Sequence, residues 1–297
     1  MELNSELIKN RPTLSTNSIK TYSSILRNLY KKVYDTDELT MDGFKNHEKI
    51  LDFLKDIPPN RRKTILSALF VLTQNEEYRK TMNHDVVDYN KEIALQKCTP
   101  AQENAWVTNT DINNVYEDLK KNATSLMKSK NITPLDLQHI QDYIIICLLG
   151  GIFIPPRRLL DFVSFKIKKI DKHVDNYMEK SGLVFNKFKT AKTYGQQIVD
   201  IPKELVTILK KWIKLNPTDY LLFDTNMNPL NSVKLNQRLT KIFKHVAEKT
   251  SVNALRHSYL TEKFGHTISQ KKEIDDTMEK CGSSANMLTT YVKNINP

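Results

Sequence analysis

The chain has 297 residues, 39% of them hydrophobic and 27% charged, which is ample apolar side chain for a core and more length than one domain usually takes. With 45 Lys and Arg against 34 Asp and Glu the formal net charge is +11, a balance that favours a polyanionic partner, because each phosphate neutralised by a cation releases counterions. Only 7 glycines are present and none builds a Gly-rich phosphate loop, which counts against a nucleotide-driven enzyme.

Taken in chain order, Ser15-Thr16 offers an N-cap, and Ile19, Tyr22, Ile25, Leu26, Leu29, Tyr30 and Val33 recur at helical spacing. The opposite face of this first long helix carries Lys20, Arg27, Lys31 and Lys32, either a solvated surface or one that faces DNA. Periodic segments follow from His47 to Leu54, from Asn60 to Thr73 after Pro58-Pro59, and from Glu76 to Leu95. The pattern then lapses around Pro100 and Trp106, as in a linker. Helices are expected over Asp111 to Met127 and Asp136 to Gly150, the second capped by Thr133 with Pro134 in its first turn. Between Val174 and Pro202 short alternating runs separated by glycines read as a β-hairpin in a small antiparallel sheet, with Tyr220 to Phe223 as a candidate edge strand. Helical patterns return over Ser232 to Val246, Ser251 to Phe264, Lys271 to Lys280 and Ser284 to Val292. The sum is a mainly α chain with a small antiparallel β-sheet (α+β), divided into a helical unit (1–97), a linker (98–109) and a second domain (110–297).

Cys98, Cys147 and Cys281 are too few and too dispersed for a disulfide framework or a zinc site, and Cys147 lies in a buried-helix pattern, as a core thiol. The longest apolar stretch, Tyr143 to Ile154, falls short of the roughly 20 residues that span a bilayer. The first residues lack a basic segment followed by an apolar run, so no secretory signal is expected. A soluble intracellular protein is expected, with neither a membrane partner nor a small-molecule substrate.

Four elements bear on chemistry. Pro155-Pro156-Arg157-Arg158-Leu-Leu-Asp161 puts two arginines at the start of a helix, where a guanidinium fork matches phosphate oxygens, unless one arginine simply pairs with Asp161 across a turn. Lys189 and Lys192 sit in the hairpin turn, where a flexible ammonium reaches a neighbouring groove or is merely solvated. Asn253-Ala-Leu-Arg256-His257 places Asn253 and Arg256 on one helical face, with Leu255 and Leu260 expected to point into the core. Tyr291, near the end, is either a packing residue of the last helix or a nucleophile whose phenol, with a reference pKa of about 10, is helped by nearby cations.

The order of these elements behind a helical N-terminal domain resembles the tyrosine recombinase (phage-integrase) family, over the whole chain. Around the first arginine the family reads Gly-hydrophobic-Arg-x-x-Glu, matched by Pro156-Arg157-Arg158-Leu-Leu-Asp161, so that Arg158 is the first choice for the catalytic arginine and Arg157 its rival. The second box, His-x-Leu-Arg-His, is matched by Asn253-Ala-Leu-Arg256-His257. The Pro-Pro-Arg-Arg form and the lysine hairpin look most like versions carried by large DNA viruses and related mobile elements. The resemblance implies a core-binding domain and a catalytic domain clamped around double-stranded DNA, and a homotetramer on two DNA sites. It implies Arg158 and Arg256 on the scissile phosphate, Lys189 or Lys192 protonating the leaving 5′-oxygen, and Tyr291 forming a 3′-phosphotyrosine, with no metal, nucleotide or other cofactor. Two departures stand out: Asn253 replaces a histidine, and Gly282 stands where His or Trp is usual. Asparagine donates to a phosphate oxygen but does not shuttle a proton at neutral pH, and glycine does neither. The departures set two alternatives beside a site-specific recombinase or integrase: a degenerate DNA-binding or replication accessory protein of the same fold, and strand relaxation of the type IB topoisomerase kind.

Overall fold

The computed structural model describes residues 2–180 and 182–293. The chain divides into two compact units, Met1–Lys97 and Cys98–Pro297.

The first unit is helical. It opens with α1 (Leu3–Asn10), too short to show a periodic stripe in the sequence, which buries Leu3 and Leu7 completely. α2 (Thr16–Tyr34) starts at Ser15, whose hydroxyl accepts from the backbone N–H of Ser18. α3 (Met41–Lys45) and α4 (His47–Leu54) are capped by Thr40 and Asn46. α5 (Pro59–Thr73) begins on a proline, where the missing N–H has no helical partner to lose. α6 (Glu76–Ala94) is capped by Asn75. Leu26, Phe44, Ile50, Leu66, Leu69 and Tyr78 belong to the core that these helices share.

One ion pair inside this unit has its carboxylate fully buried. Asp85 on α6 is fully buried and takes a two-pronged hydrogen bond from Arg62 on α5, Nε at 2.9 Å and Nη2 at 2.6 Å, while Arg62 Nη1 donates to the Lys55 carbonyl at 2.9 Å. Removing one partner strands the other charge away from water. Arg62→Ala is expected to cost about 3–5 kcal/mol in urea unfolding, and an apolar pair at both positions much less; equal losses for the two variants would contradict this.

The second unit begins with α7 (Pro100–Glu103), a single turn held by a capping box from Thr99 and Gln102. α8 (Asn109–Leu126) and α9 (Pro134–Leu149) follow, each with its own capping box, at Thr108 and Thr133. From Ile144 to Leu149 every residue of α9 is fully buried, which makes it the central helix of the core. Burial pushes the Cys147 thiol up, in keeping with a packing role. The chain then runs through α10 (Leu159–Phe162), β1 (Tyr177–Glu179), β2 (Gly182–Phe185), α11 (Ala191–Tyr194), β3 (Gln197–Asp200), α12 (Lys203–Leu215) and α13 (Ser232–Ile242). α14 (Val252–Lys280), a 3₁₀ turn at Ala285–Met287 and α15 (Leu288–Tyr291) complete it. The sheet is antiparallel in the order β1-β2-β3, with Leu183 opposite both Met178 and Val199. The protein is thus mainly α with one small antiparallel sheet.

Three local expectations need correction. Tyr220 to Phe223 forms no edge strand; only isolated bridges join Tyr220 to Lys166 and Phe223 to Pro229. Side chains take up its backbone groups instead: the Trp212 indole donates to the Leu221 carbonyl, and the buried Gln141 amide both donates to and accepts from the backbone of Phe223. The helices expected over Ser251 to Phe264 and Lys271 to Lys280 are one continuous helix, α14. A glycine inside a helix, here Gly265, costs only about 1 kcal/mol relative to alanine, too little to break a run flanked by good helix formers. Leu260 does not point into the core. It is 48% exposed and lies on an outward stripe with Phe264 and Ile268, while Leu255 is fully buried.

Candidate functional site

The two arginines after Pro156 have different fates. Arg157 Nε donates to Asp161 Oδ2 at 2.8 Å, its Nη2 donates to Gln197 Oε1 on β3 at 3.1 Å, and its guanidinium lies 4.0 Å from the centre of the Phe185 ring on β2. It fastens the turn before α10 to the sheet. Arg158 supplies the N-cap backbone of α10, and its half-buried side chain makes no hydrogen bond or ion pair among the described residues.

Asp161 lies under both. Burial raises its carboxyl above the ordinary aspartate range, and the charges of Arg157, Arg158 and Arg256 pull it back down. The charge of Arg256, from a segment nearly 100 residues later, thus acts on the same carboxyl as that of Arg158. Asp161 Oδ1 is buried with no hydrogen-bond partner among the described residues.

The first turns of α14 bring Arg256 there. Ser251 caps the helix, Val252 and Leu255 bury one face, and Tyr259, one turn past Arg256, lies close against Gly151. Gly151 has φ of 83°, and a Cβ there would come within 2.7 Å of the Tyr259 ring, so the close approach of α14 to the arginine turn requires glycine. Arg256 is half-buried and, like Arg158, makes no side-chain hydrogen bond among the described residues. Asn253 and His257 are exposed one turn apart on the outer face of the same helix.

Lys189 and Lys192 are exposed on the connection between β2 and β3, neither paired among the described residues. The connection is no tight turn: it runs over residues 186–196 and contains α11. Its neck is closed by Gln196 donating to Asn186 Oδ1 at 2.7 Å, and Arg157 ties it to the arginine turn through Gln197.

Tyr291 makes no hydrogen bond to the arginines among the described residues. From Arg256 to Lys280, α14 carries the helix axis about 36 Å. The chain then turns at Gly282, with φ of 70°, into the 3₁₀ turn and α15, where Tyr291 is 64% exposed and makes no hydrogen bond among the described residues. Lys20 and Arg27 are exposed along one face of α2 in the first unit.

Sequence reasoning missed Gln197 and Phe185, which hold Arg157 in place, and Tyr259, which lies close to Gly151. Only the alternating pattern of β2 and β3 hinted at the first two, because a partner 40 residues away leaves no local signal.

What fold and site define together is a basic protein of two units, mainly α, in which two unpaired arginines and a lysine-bearing loop gather on one unit. No family model and no curated protein matches the sequence. Among solved structures the chain is similar to a XerH site-specific recombinase bound to its difH substrate in a pre-cleavage complex, at 13% identity, over 98% of this chain and 90% of that one, with a TM-score of 0.41. It is also similar to a lambda integrase dimer bound to a COC′ core site (13% identity, 89% and 71% of the two chains, TM-score 0.45) and to the Tn1549 transposon integrase in complex with a circular intermediate DNA (15%, 89% and 86%, TM-score 0.41). At this depth the likeness assigns no residue and no reaction to this chain.

Proposed function

We propose that this protein is a site-specific DNA recombinase or integrase that cuts and rejoins strands through a 3′-phosphotyrosine link. The observation that carries this reading is that Arg158 and Arg256 both act electrostatically on the buried Asp161 carboxyl, while neither guanidinium makes a hydrogen bond or ion pair among the described residues. Two such cations with open donors can serve one anionic group. A phosphodiester passing through a five-coordinate transition state gains negative charge there, and donors fixed in advance stabilise it more than the ground state.

In this scheme Arg158 and Arg256 hold the phosphate, and Asn253 donates a further hydrogen bond to it. Lys189 or Lys192 protonates the leaving 5′-oxygen, and His257 moves protons at the attacking side. The Tyr291 phenolate attacks phosphorus, the bond to the 5′-oxygen breaks, and a 5′-hydroxyl from another strand later reverses both steps. The covalent link conserves the bond energy between the steps. Arg157, Lys20 and Arg27 serve binding or architecture, and the partner is double-stranded DNA. Tyr291 reaches the phosphate from its own chain or from a second copy, in a tetramer on two DNA sites.

Incubation of the protein with nicked DNA that loses its 5′-terminal fragment on cleavage tests the reading, since the broken strand is then trapped on the protein. A covalent adduct that survives denaturant is the expected result. DNA binding without an adduct on any substrate would favour the accessory protein, a reading that Asn253 and Gly282, in place of the family's usual residues, support.

A further inference from the structure

Of the 12 tyrosines in the chain, only Tyr194 and Tyr291 are largely exposed, at 65% and 64%. Tyr291 has a place in the reaction proposed above. We infer that Tyr194 is a base-stacking residue, whose ring receives a nucleobase that leaves the duplex stack beside the phosphate held by Arg158 and Arg256. The inference rests on the DNA-cleaving reading and extends it to how the substrate is held open.

Three features of the β2–β3 connection support it. Residues 186–196 contain Lys187, Lys189 and Lys192 and no acidic residue, so the loop is a cationic arm suited to a nucleic-acid backbone. Its neck is anchored at the arginine turn, through Arg157 on Gln197 and Gln196 on Asn186. Whatever binds at Arg158 therefore lies beside this arm.

The third feature is the presentation of the ring. The backbone of Tyr194 is fixed: its N–H donates to the Thr190 carbonyl at 3.1 Å, and the Gly195 N–H donates to Ala191 at 2.8 Å. Gly195 then takes φ of 67° and ψ of −160°, a conformation open essentially to glycine alone, and turns the chain at once into β3. The phenol makes no hydrogen bond among the described residues, and a Cβ at Gly195 would meet nothing within 4 Å. A hydrogen-bonded turn thus presents a largely exposed aromatic ring. Such rings stack on any base, because every base has a π-face, and lysines beside them neutralise the flanking phosphates.

The test uses the full chain and a short fluorescein-labelled duplex, intact or carrying a short single-stranded gap that contains 2-aminopurine. Wild-type protein is expected to bind the gapped duplex more tightly and to quench the 2-aminopurine on binding. Tyr194→Ala is expected to lose the preference for the gap by roughly 5- to 100-fold, with affinity for the intact duplex unchanged. Tyr194→Phe keeps preference and quenching, and Tyr194→Leu does not. Gapped-duplex binding by Tyr194→Ala equal to wild type, or rescue by leucine as full as by phenylalanine, would overturn the inference. Wild-type protein that binds intact duplex with no gain from the gap overturns stacking and leaves the DNA reading standing. Binding to neither duplex removes that reading and this inference with it.

Discussion

Tyr291→Phe is expected to abolish covalent capture of nicked DNA while DNA affinity and thermal unfolding stay as in the parent chain. The substitution removes one oxygen atom from an exposed side chain that makes no hydrogen bond among the described residues. Surface changes of this kind usually alter stability by less than about 0.5 kcal/mol, so loss of the adduct reports chemistry alone. An adduct that persists at the parental level in Tyr291→Phe would rule out this tyrosine as the nucleophile, and Tyr194→Phe would then be the next variant to assay. The same variant also decides where the tyrosine comes from. Mixed with Arg256→Ala, which keeps Tyr291 but lacks one phosphate ligand, it recovers adduct only if one copy donates its tyrosine to the arginine site of another.

The arginines give the second large effect, and here neighbouring residues are expected to behave in opposite ways. Arg158→Ala and Arg256→Ala should each lower cleavage about 10²- to 10³-fold, the cost typical of removing one fixed donor from a developing oxyanion, with little change in melting temperature. Arg158→Lys should recover only part of the loss, since an ammonium lacks the planar fork. Arg157→Ala should instead melt early, by about 3 kcal/mol of lost stability, because it leaves the buried Asp161 without its closest counterion and frees the sheet from the arginine turn. Circular dichroism melts and single-turnover cleavage, run side by side, check both halves. Cleavage lost in Arg157→Ala at an unchanged melting temperature, together with full activity in Arg158→Ala, would exchange the two assignments.

Much of the fold was legible because its signals are local. Ser15 and Thr133 cap helices where the spacing of apolar residues begins, since a cap hydroxyl reaches only two or three residues ahead. The sheet was legible from its glycines and alternation, although its connecting loop is longer than a hairpin turn and holds a helix. Tyr220 to Phe223 misled because its β-prone residues are extended but paired with Trp212 and Gln141 side chains, a competition that periodicity does not register. Gly265 misled in the opposite sense, because a glycine weakens a helix without ending it.

At the site, the sequence alone determined the ingredients: a basic chain, an Arg-Arg pair after prolines, lysines between two strands, an Asn-x-x-Arg-His helix start and a late tyrosine. Their order is covalent, so no folding is needed to read it. Only the tertiary structure decided that Arg157 is tied to Asp161, Gln197 and Phe185 while Arg158 and Arg256 make no hydrogen bond or ion pair among the described residues. It also decided that Tyr291 stands at the far end of α14 while Tyr194 stands exposed on the lysine-bearing arm. The reason is physical. A charged side chain is defined by the partners that reach it and by its access to water, and both depend on segments tens of residues apart meeting in space.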